Sequence, residues 1–178
     1  MTSLLTIPAH RVRLHELSLE SATDLHAGGG GGGFLWVGGD APGGTRIGSG
    51  ITVKAFAAGT YRSGWGTYVI VRAGDERAVG GIGFHSPPGG DGRVEIGYDL
   101  AEGARGRGYM TEAVTAIAAW ALSQPGVTAV TAKTDPGNTA SQSVLRRAGF
   151  IRIPASDDAH AFELPRPAEA ATPPPTTP

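Results

Sequence analysis

A short glycine-rich turn carries the clearest chemical signal in this sequence. The turn 105–108 (RGRG) separates a segment of alternating apolar and polar residues, 93–100, from a segment with helical periodicity that begins at Thr111. Glycines at such a junction let successive backbone N–H groups point outward together, at the positive end of the helix dipole. The sequence therefore predicts a site for a phosphate or a pyrophosphate.

This turn resembles motif A of the GNAT superfamily of N-acetyltransferases. The motif reads Arg or Gln, two residues, Gly, one residue, then Gly or Ala, which here corresponds to Arg105, Gly108 and Met110. Met110 departs from the small final residue, and the ending YMTEA is most similar to the branch that acetylates ribosomal-protein N-termini. A second similarity, to motif B, runs from Asn138 through Ser141 to an AGF tripeptide.

The resemblance implies that acetyl-CoA is the co-substrate and that no metal is required. In this superfamily acetyl-CoA lies in an opening between two splayed parallel strands, and its pyrophosphate meets the turn. The residues that we expect to contact acetyl-CoA are Tyr98, Asp99, Leu100, Arg105, Gly106, Arg107, Gly108, Tyr109, Met110, Thr111 and Asn138. Asn138 is either a plain helix cap or a cap that also contacts the pantetheine arm.

Acetyl transfer from a thioester to an amine needs a neutral amine, donors for the oxyanion and a proton for the thiolate. Members of this family usually react both substrates directly, so the absence of cysteine is no obstacle.

Glu95 is the predicted base, unless strand alternation turns it outward as a surface glutamate. Ser141 is the predicted proton donor, because many relatives have a tyrosine where this chain has Leu145; a surface serine is the alternative. His85 and His160 are reserve candidates for the base.

Periodicity predicts the elements that position these residues. Segments 65–72, 78–85 and 93–100 read as strands joined by short turns, which makes an antiparallel meander. The helix from Thr111 then crosses to a strand at 127–133 and makes a parallel pair with the last strand of the meander. The expected fold class is α/β (α+β), a GNAT fold: a mixed, mostly antiparallel sheet with a central parallel pair splayed to hold acetyl-CoA, flanked by helices.

The N-terminal third is less regular. A strand is predicted within 6–17, followed by a helix with Ser18 as its N-cap. The glycine run 28–33 indicates a flexible surface loop, or alternatively a mobile lip over a substrate groove. The next apolar segment suits a helix broken by Gly48 and Gly50.

The C-terminal part is predicted to hold a helix after Asn138 and two short strands, 150–153 and 160–164. We expect residues 1–165 to form a single acetyltransferase domain that includes the glycine run. The proline-rich segment 166–178 has no core-forming residues and is expected to be a disordered tail.

Composition limits the classes of function. The chain has 178 residues, a net charge of −1 and no cysteine. This charge gives no field that would recruit nucleic acid or an anionic membrane, and cysteine nucleophiles, thiolate metal sites and disulfides are excluded. No secretory signal or membrane-spanning run is visible, so a cytoplasmic protein, monomeric or homodimeric, is expected.

The sequence thus predicts an acetyl-CoA-dependent N-acetyltransferase whose acceptor is a protein N-terminal α-amine or a small-molecule amine. One alternative is a non-catalytic acyl-CoA-binding module, which the departures at Met110 and Leu145 keep open. The other is a nucleotide-binding domain. It is disfavoured because the turn lacks the Lys-Ser/Thr ending of a phosphate-binding loop and follows an antiparallel meander.

Overall fold

The computed structural model describes residues 4–155 and 158–168, which form an eight-stranded sheet with helices on both faces. The strands are Thr6–Pro8 (β1), Val12–Glu16 (β2), Thr67–Arg72 (β3), Ala78–Phe84 (β4), Arg93–Leu100 (β5), Ala129–Thr134 (β6), Ile151–Ile153 (β7) and His160–Pro165 (β8). The helices are Leu19–Ala27 (α1), Gly43–Ala57 (α2), Tyr109–Ser123 (α3) and Thr139–Arg147 (α4), with a 3₁₀ turn at Glu102–Ala104.

The sheet order is β1-β2-β3-β4-β5-β6-β8-β7. All neighbouring strands are antiparallel except β5 and β6, which are parallel because α3 crosses over between them. The predicted fold class is therefore confirmed, including the meander and the central parallel pair.

Strand alternation gives the sheet two apolar faces. On β3, Tyr68 and Ile70 belong to the larger core, which also contains Ile117 of α3. Their neighbours Val69 and Val71 belong to a smaller core that contains Leu25 and Trp36. Because successive side chains point to opposite faces of a strand, α3 and α1 cover opposite sides of the sheet.

Helix α2 is continuous, so the prediction that Gly48 and Gly50 break it was wrong. Both glycines lie where the helix approaches its neighbours closely. A Cβ at Gly50 would lie 2.6 Å from the ring of His26, and one at Gly48 would lie 3.4 Å from the Thr67 hydroxyl. Close packing of α2 against α1 and β3 therefore compensates for the low helix propensity of glycine.

The N-terminal segment forms a hairpin of two strands, β1 and β2, where the sequence indicated one. The predicted cap is confirmed, since the Ser18 hydroxyl accepts a hydrogen bond from the Ser21 N–H at 3.0 Å.

The glycine run 28–33 contacts its surroundings at two of its residues. The N–H of the buried Gly32 donates to the Asp24 carboxylate at 2.8 Å, and the Gly31 carbonyl accepts from the Trp36 indole at 2.9 Å. These contacts place the run beside the smaller core.

The structure describes three residues beyond the domain boundary that is predicted after residue 165. Pro165 ends β8, and the next N–H, that of Arg166, still donates to the Thr128 carbonyl at 2.8 Å. The predicted tail otherwise falls mainly on residues 169–178, outside the described residues. Within the ranges 4–155 and 158–168, none of the helices combines the length and the apolar character that crossing a membrane requires.

Candidate active site

Strands β5 and β6 separate partway along their length and open a cleft. They are paired from Arg93 and Ala129 to Ile96 and Ala132. From Gly97 onward β5 pairs only with β4, while the end of β6 pairs only with β8. The part of the cleft next to the turn 105–108 has a volume of about 300 Å³.

The turn 105–108 lies at one end of this cleft. Gly106 and Gly108 have φ values of 72° and 82°, a region that favours glycine because it has no Cβ. Within the described residues, the N–H groups of Gly106, Arg107 and Gly108 have no hydrogen-bond acceptor. Helix α3 starts at Tyr109, two residues before the predicted start, so these amides lie directly at its positive end.

A residue far away in sequence holds the turn. The Arg11 guanidinium donates to the Arg107 carbonyl at 3.0 Å, and both its backbone N–H and its side chain bind the Glu112 carboxylate. A trans peptide directs its C=O and the following N–H in opposite directions, so this contact sets the direction of the Gly108 N–H. Sequence reasoning missed Arg11, because no local pattern connects the β1–β2 turn with α3.

The expected acetyl-CoA contacts do not all face the cleft in the same way. Tyr98, Asp99, Leu100, Arg105, Met110 and Asn138 border it, and Gly106, Arg107 and Gly108 form the turn beside it. Tyr109 is largely buried beneath Arg11, whose guanidinium carbon is 5.1 Å from the ring centroid, and Thr111 lies in the first turn of α3. The Asp99 carboxylate is directed to α2, where it accepts from the N–H and hydroxyl of Thr45. Met110 contributes mainly to the core, since it is only 4% exposed.

The start of α4 and strand β5 each place one hydroxyl group on the cleft. Asn138 caps this helix as predicted, with its side-chain oxygen accepting from the Ser141 N–H at 3.0 Å. The Ser141 hydroxyl lies 2.8 Å from the Tyr98 hydroxyl, and both residues border the cleft. Burial raises the pKa of the Tyr98 phenol to about 12, and the hydrogen bond with Ser141 acts in the opposite direction. Leu145 lies fully buried in the core and offers no competing donor.

Glu95 lies on the opposite face of β5 from Tyr98, as the alternation of the strand requires. It is neither buried nor fully exposed, and its carboxylate is 3.3 Å from Nδ1 of His85. Both side chains are on the α2 side of the sheet. The pair was missed because the length of the turn between β4 and β5 leaves their register open in the sequence.

A groove runs along this α2 side. It extends from Tyr61 and Trp65 to Gly97 in two adjoining parts, which share Ile51, Phe84 and His85. Gly97 also borders the cleft between β5 and β6. The groove and the cleft therefore meet at Gly97, which lines both of them. No three His, Asp or Glu side chains of the described residues come together as a metal-binding group.

Comparison with known proteins agrees with this architecture. Residues 45–151, more than half of the chain, match the family model of the acetyltransferase (GNAT) domain. The chain therefore belongs to the GNAT family of acetyltransferases, which confirms the resemblance found in the sequence.

Among related sequences, the uncharacterized N-acetyltransferase YjdG of Bacillus subtilis is 36% identical over 88 residues, which cover 49% of this chain and 52% of that protein. The uncharacterized N-acetyltransferase p20 of Bacillus licheniformis is 34% identical over 82 residues, 46% of each chain. This chain thus spans about half the length of the curated relatives it matches.

Solved structures share the fold. The ribosomal L7/L12 α-N-protein acetyltransferase RimL in complex with coenzyme A has a TM-score of 0.64 at 16% identity, covering 90% of this chain and 98% of that one. The ribosomal-protein-S5-alanine acetyltransferase from Vibrio fischeri has a TM-score of 0.61 at 14% identity, covering 92% and 97%. At these identities the similarity establishes the fold alone.

Proposed function

We propose that this domain transfers an acetyl group from acetyl-CoA to a primary amine. The observation that carries the proposal is the separation of β5 and β6 after Ile96 and Ala132, with unpaired backbone amides at one end of the opening. Family membership and the curated N-acetyltransferase relatives support the same activity.

The residues at the cleft suit acetyl-CoA chemically. The amides of Gly106, Arg107 and Gly108 offer donors to a pyrophosphate at the positive end of α3. The side-chain oxygen of Asn138 is used by the helix cap, which leaves its NH₂ group for a pantetheine carbonyl. Acetyl-CoA supplies an activated acyl group as a thioester.

Two groups of side chains have the roles that the reaction requires. Ser141, backed by the Tyr98 hydroxyl, lies on the cleft and donates a proton to the leaving sulfur. Glu95 and its partner His85 lie on the groove side and supply the base. The two groups are on opposite faces of β5, so the acceptor enters from the groove while the thiol leaves through the cleft.

We propose a protein N-terminal α-amine as the acceptor, with a small-molecule amine as the second candidate. The groove that leads to Gly97 consists of two adjoining parts, which gives room for an extended peptide whose first residue reaches the cleft. The solved relatives named as ribosomal-protein acetyltransferases support a peptide acceptor by analogy of fold.

A screen of amines tests the proposal. N-terminal peptides and small amines are incubated with the protein and acetyl-CoA, and release of free thiol is measured together with the mass of the product. Acetylation of peptides in preference to free amines supports the peptide acceptor, and the reverse preference favours the small-molecule acceptor. Binding of acetyl-CoA without turnover on any amine would instead identify a non-catalytic acyl-CoA-binding module.

A further inference from the structure

His85 and Glu95 form a pair that the antiparallel register of β4 and β5 determines. His85 follows the last residue of β4, and its backbone N–H donates to the Glu95 carbonyl at 3.0 Å. Residues directly opposite each other across two strands have their side chains on the same face. The imidazole Nδ1 accordingly lies 3.3 Å from the Glu95 carboxylate.

The other end of the imidazole is directed along β5 toward Gly97. A Cβ added to Gly97 would lie 2.9 Å from Nε2 of His85, so any side chain there would displace the ring. Gly97 is also the first residue of β5 beyond its last parallel pair with β6. Nε2 therefore lies over the point where the groove meets the cleft.

We propose that His85 is the catalytic residue that takes the proton from the acceptor amine, and that Glu95 is a positioning residue that acts through it. This inference rests on the proposed acetyl transfer. A carboxylate accepts only, so it selects the neutral imidazole tautomer with a proton on Nδ1 and a lone pair on Nε2. That lone pair faces the place where the amine meets the thioester.

The bonds and protons balance with these groups. The neutral amine nitrogen forms a bond to the acyl carbon, and the bond from that carbon to sulfur breaks. The proton that nitrogen loses passes to Nε2 of His85, and the sulfur takes its proton from the Ser141 hydroxyl. The products are an amide and a free thiol, and solvent returns both side chains to their starting states.

Three charged side chains lie near His85: one contacts its ring, and two line the same part of the groove. Glu95 contacts the ring, while Lys54 of α2 and Arg62 of the following loop line the same part of the groove. Of these groups, only the Glu95 carboxylate contacts the ring, so it is the one that stabilises the imidazolium formed during the proposed reaction. Removing the Glu95 charge is thus expected to weaken His85 as a base without eliminating it.

Turnover measurements on three variants test the assignment. We expect His85→Gln to lower kcat/KM by about 10²-fold, the usual loss of a general base, and to remove the acidic limb of the pH profile. We expect Glu95→Gln to lower it by about 10-fold and to keep an acidic limb. His10→Gln, at an exposed histidine in the β1–β2 turn, serves as the matched control and should retain wild-type turnover.

Two measurements separate a chemical role from a structural one. Added imidazole should restore part of the activity of His85→Ala, which a merely misfolded variant would not show. The ¹⁵N shifts of His85 in the full chain should report a protonated Nδ1 and an unprotonated Nε2 in the wild type, with mixed tautomers in Glu95→Gln.

The outcomes distinguish this inference from the proposed function. If the wild type acetylates amines and His85→Gln keeps its turnover and its acidic limb while Glu95→Gln loses both, Glu95 is itself the base and the inference is overturned. A wild-type His85 protonated on Nε2 overturns it independently of activity. A wild type that turns over no amine contradicts the proposed function instead.

Discussion

The hydroxyl oxygens of Tyr98 and Ser141 lie 2.8 Å apart, although one residue belongs to β5 and the other to the first turn of α4. A proton taken from an isolated serine leaves an alkoxide. A proton passed along from Tyr98 leaves a phenolate, which is a weaker base. In the proposed reaction, the pair is therefore a better acid toward the leaving thiolate than Ser141 alone.

Removing either hydroxyl is expected to slow the chemical step. Ser141→Ala and Tyr98→Phe should each lower kcat by about 10-fold, with little change in acetyl-CoA affinity by calorimetry. Because the two groups act as a unit, the double variant should be no slower than Ser141→Ala. The losses should shrink with an acetyl donor whose leaving thiol is more acidic. Losses that multiply in the double variant would mean that the two hydroxyls act separately.

The turn 105–108 is expected to require glycine at position 108. Its φ of 82° disfavours any other residue, and a Cβ there would lie 3.1 Å from the Arg11 guanidinium. Gly108→Val should weaken acetyl-CoA binding by about 10-fold or more, measured by calorimetry. Gly126→Val is the matched control, since Gly126 has a φ of 77° with open space around it at the other end of α3. If the two variants bound acetyl-CoA with equal affinity, the turn 105–108 would not be part of the acetyl-CoA site.

Arg11 is expected to support acetyl-CoA binding indirectly. Arg11→Ala frees the Arg107 carbonyl, so the Gly108 N–H loses its fixed direction, and we expect about a 5-fold weaker affinity for acetyl-CoA. Arg13→Ala removes the same charge from the same hairpin, but Arg13 pairs with Glu76. The control should bind acetyl-CoA as the wild type does. A similar loss in both variants would indicate a general charge effect.

Gly97→Ala tests whether the place of the His85 ring matters for turnover. The added Cβ would meet Nε2 at 2.9 Å and displace a half-exposed ring, so stability should change little. We expect kcat/KM to fall by about 10-fold in the wild-type background and to be unchanged by Gly97→Ala in a His85→Gln background. If Gly97→Ala lowered kcat/KM by the same factor in the His85→Gln background, the effect would come from a change in the cleft and not from the displaced ring.

Glu16 is expected to be important for stability. Its buried carboxylate accepts hydrogen bonds from the backbone N–H groups of Leu5 and Gly64 and from the Tyr61 hydroxyl, and so holds the wall of the groove that contains Tyr61. Glu16→Ala should lower the free energy of unfolding by about 3 kcal/mol in urea titrations, because several buried donors lose their acceptor. The exposed Glu20→Ala should change it by less than about 1 kcal/mol. Similar values for the two variants would contradict this role.

Local patterns were sufficient for the central part of the fold, from β3 to α4. Alternation in β5, the glycines of the turn 105–108 and the helical period of α3 are properties of neighbouring residues, and they predicted the strand, the turn and the crossover. The Asn138 cap was predictable for the same reason, since a cap depends on residues three positions apart. The continuity of α2 was not predictable, because the contacts that compensate for Gly48 and Gly50 come from other elements.

The tertiary structure alone decided which side chains meet. The turn between β4 and β5 leaves open which residue of one strand faces which residue of the other, so only the folded sheet places His85 opposite Glu95. Tyr98 meets Ser141 because α4 packs against the cleft, and Arg11 meets Arg107 because the hairpin β1–β2 lies against the turn that precedes α3. Such contacts join residues distant in sequence, and their geometry depends on the packing of the whole sheet, which no local spacing records.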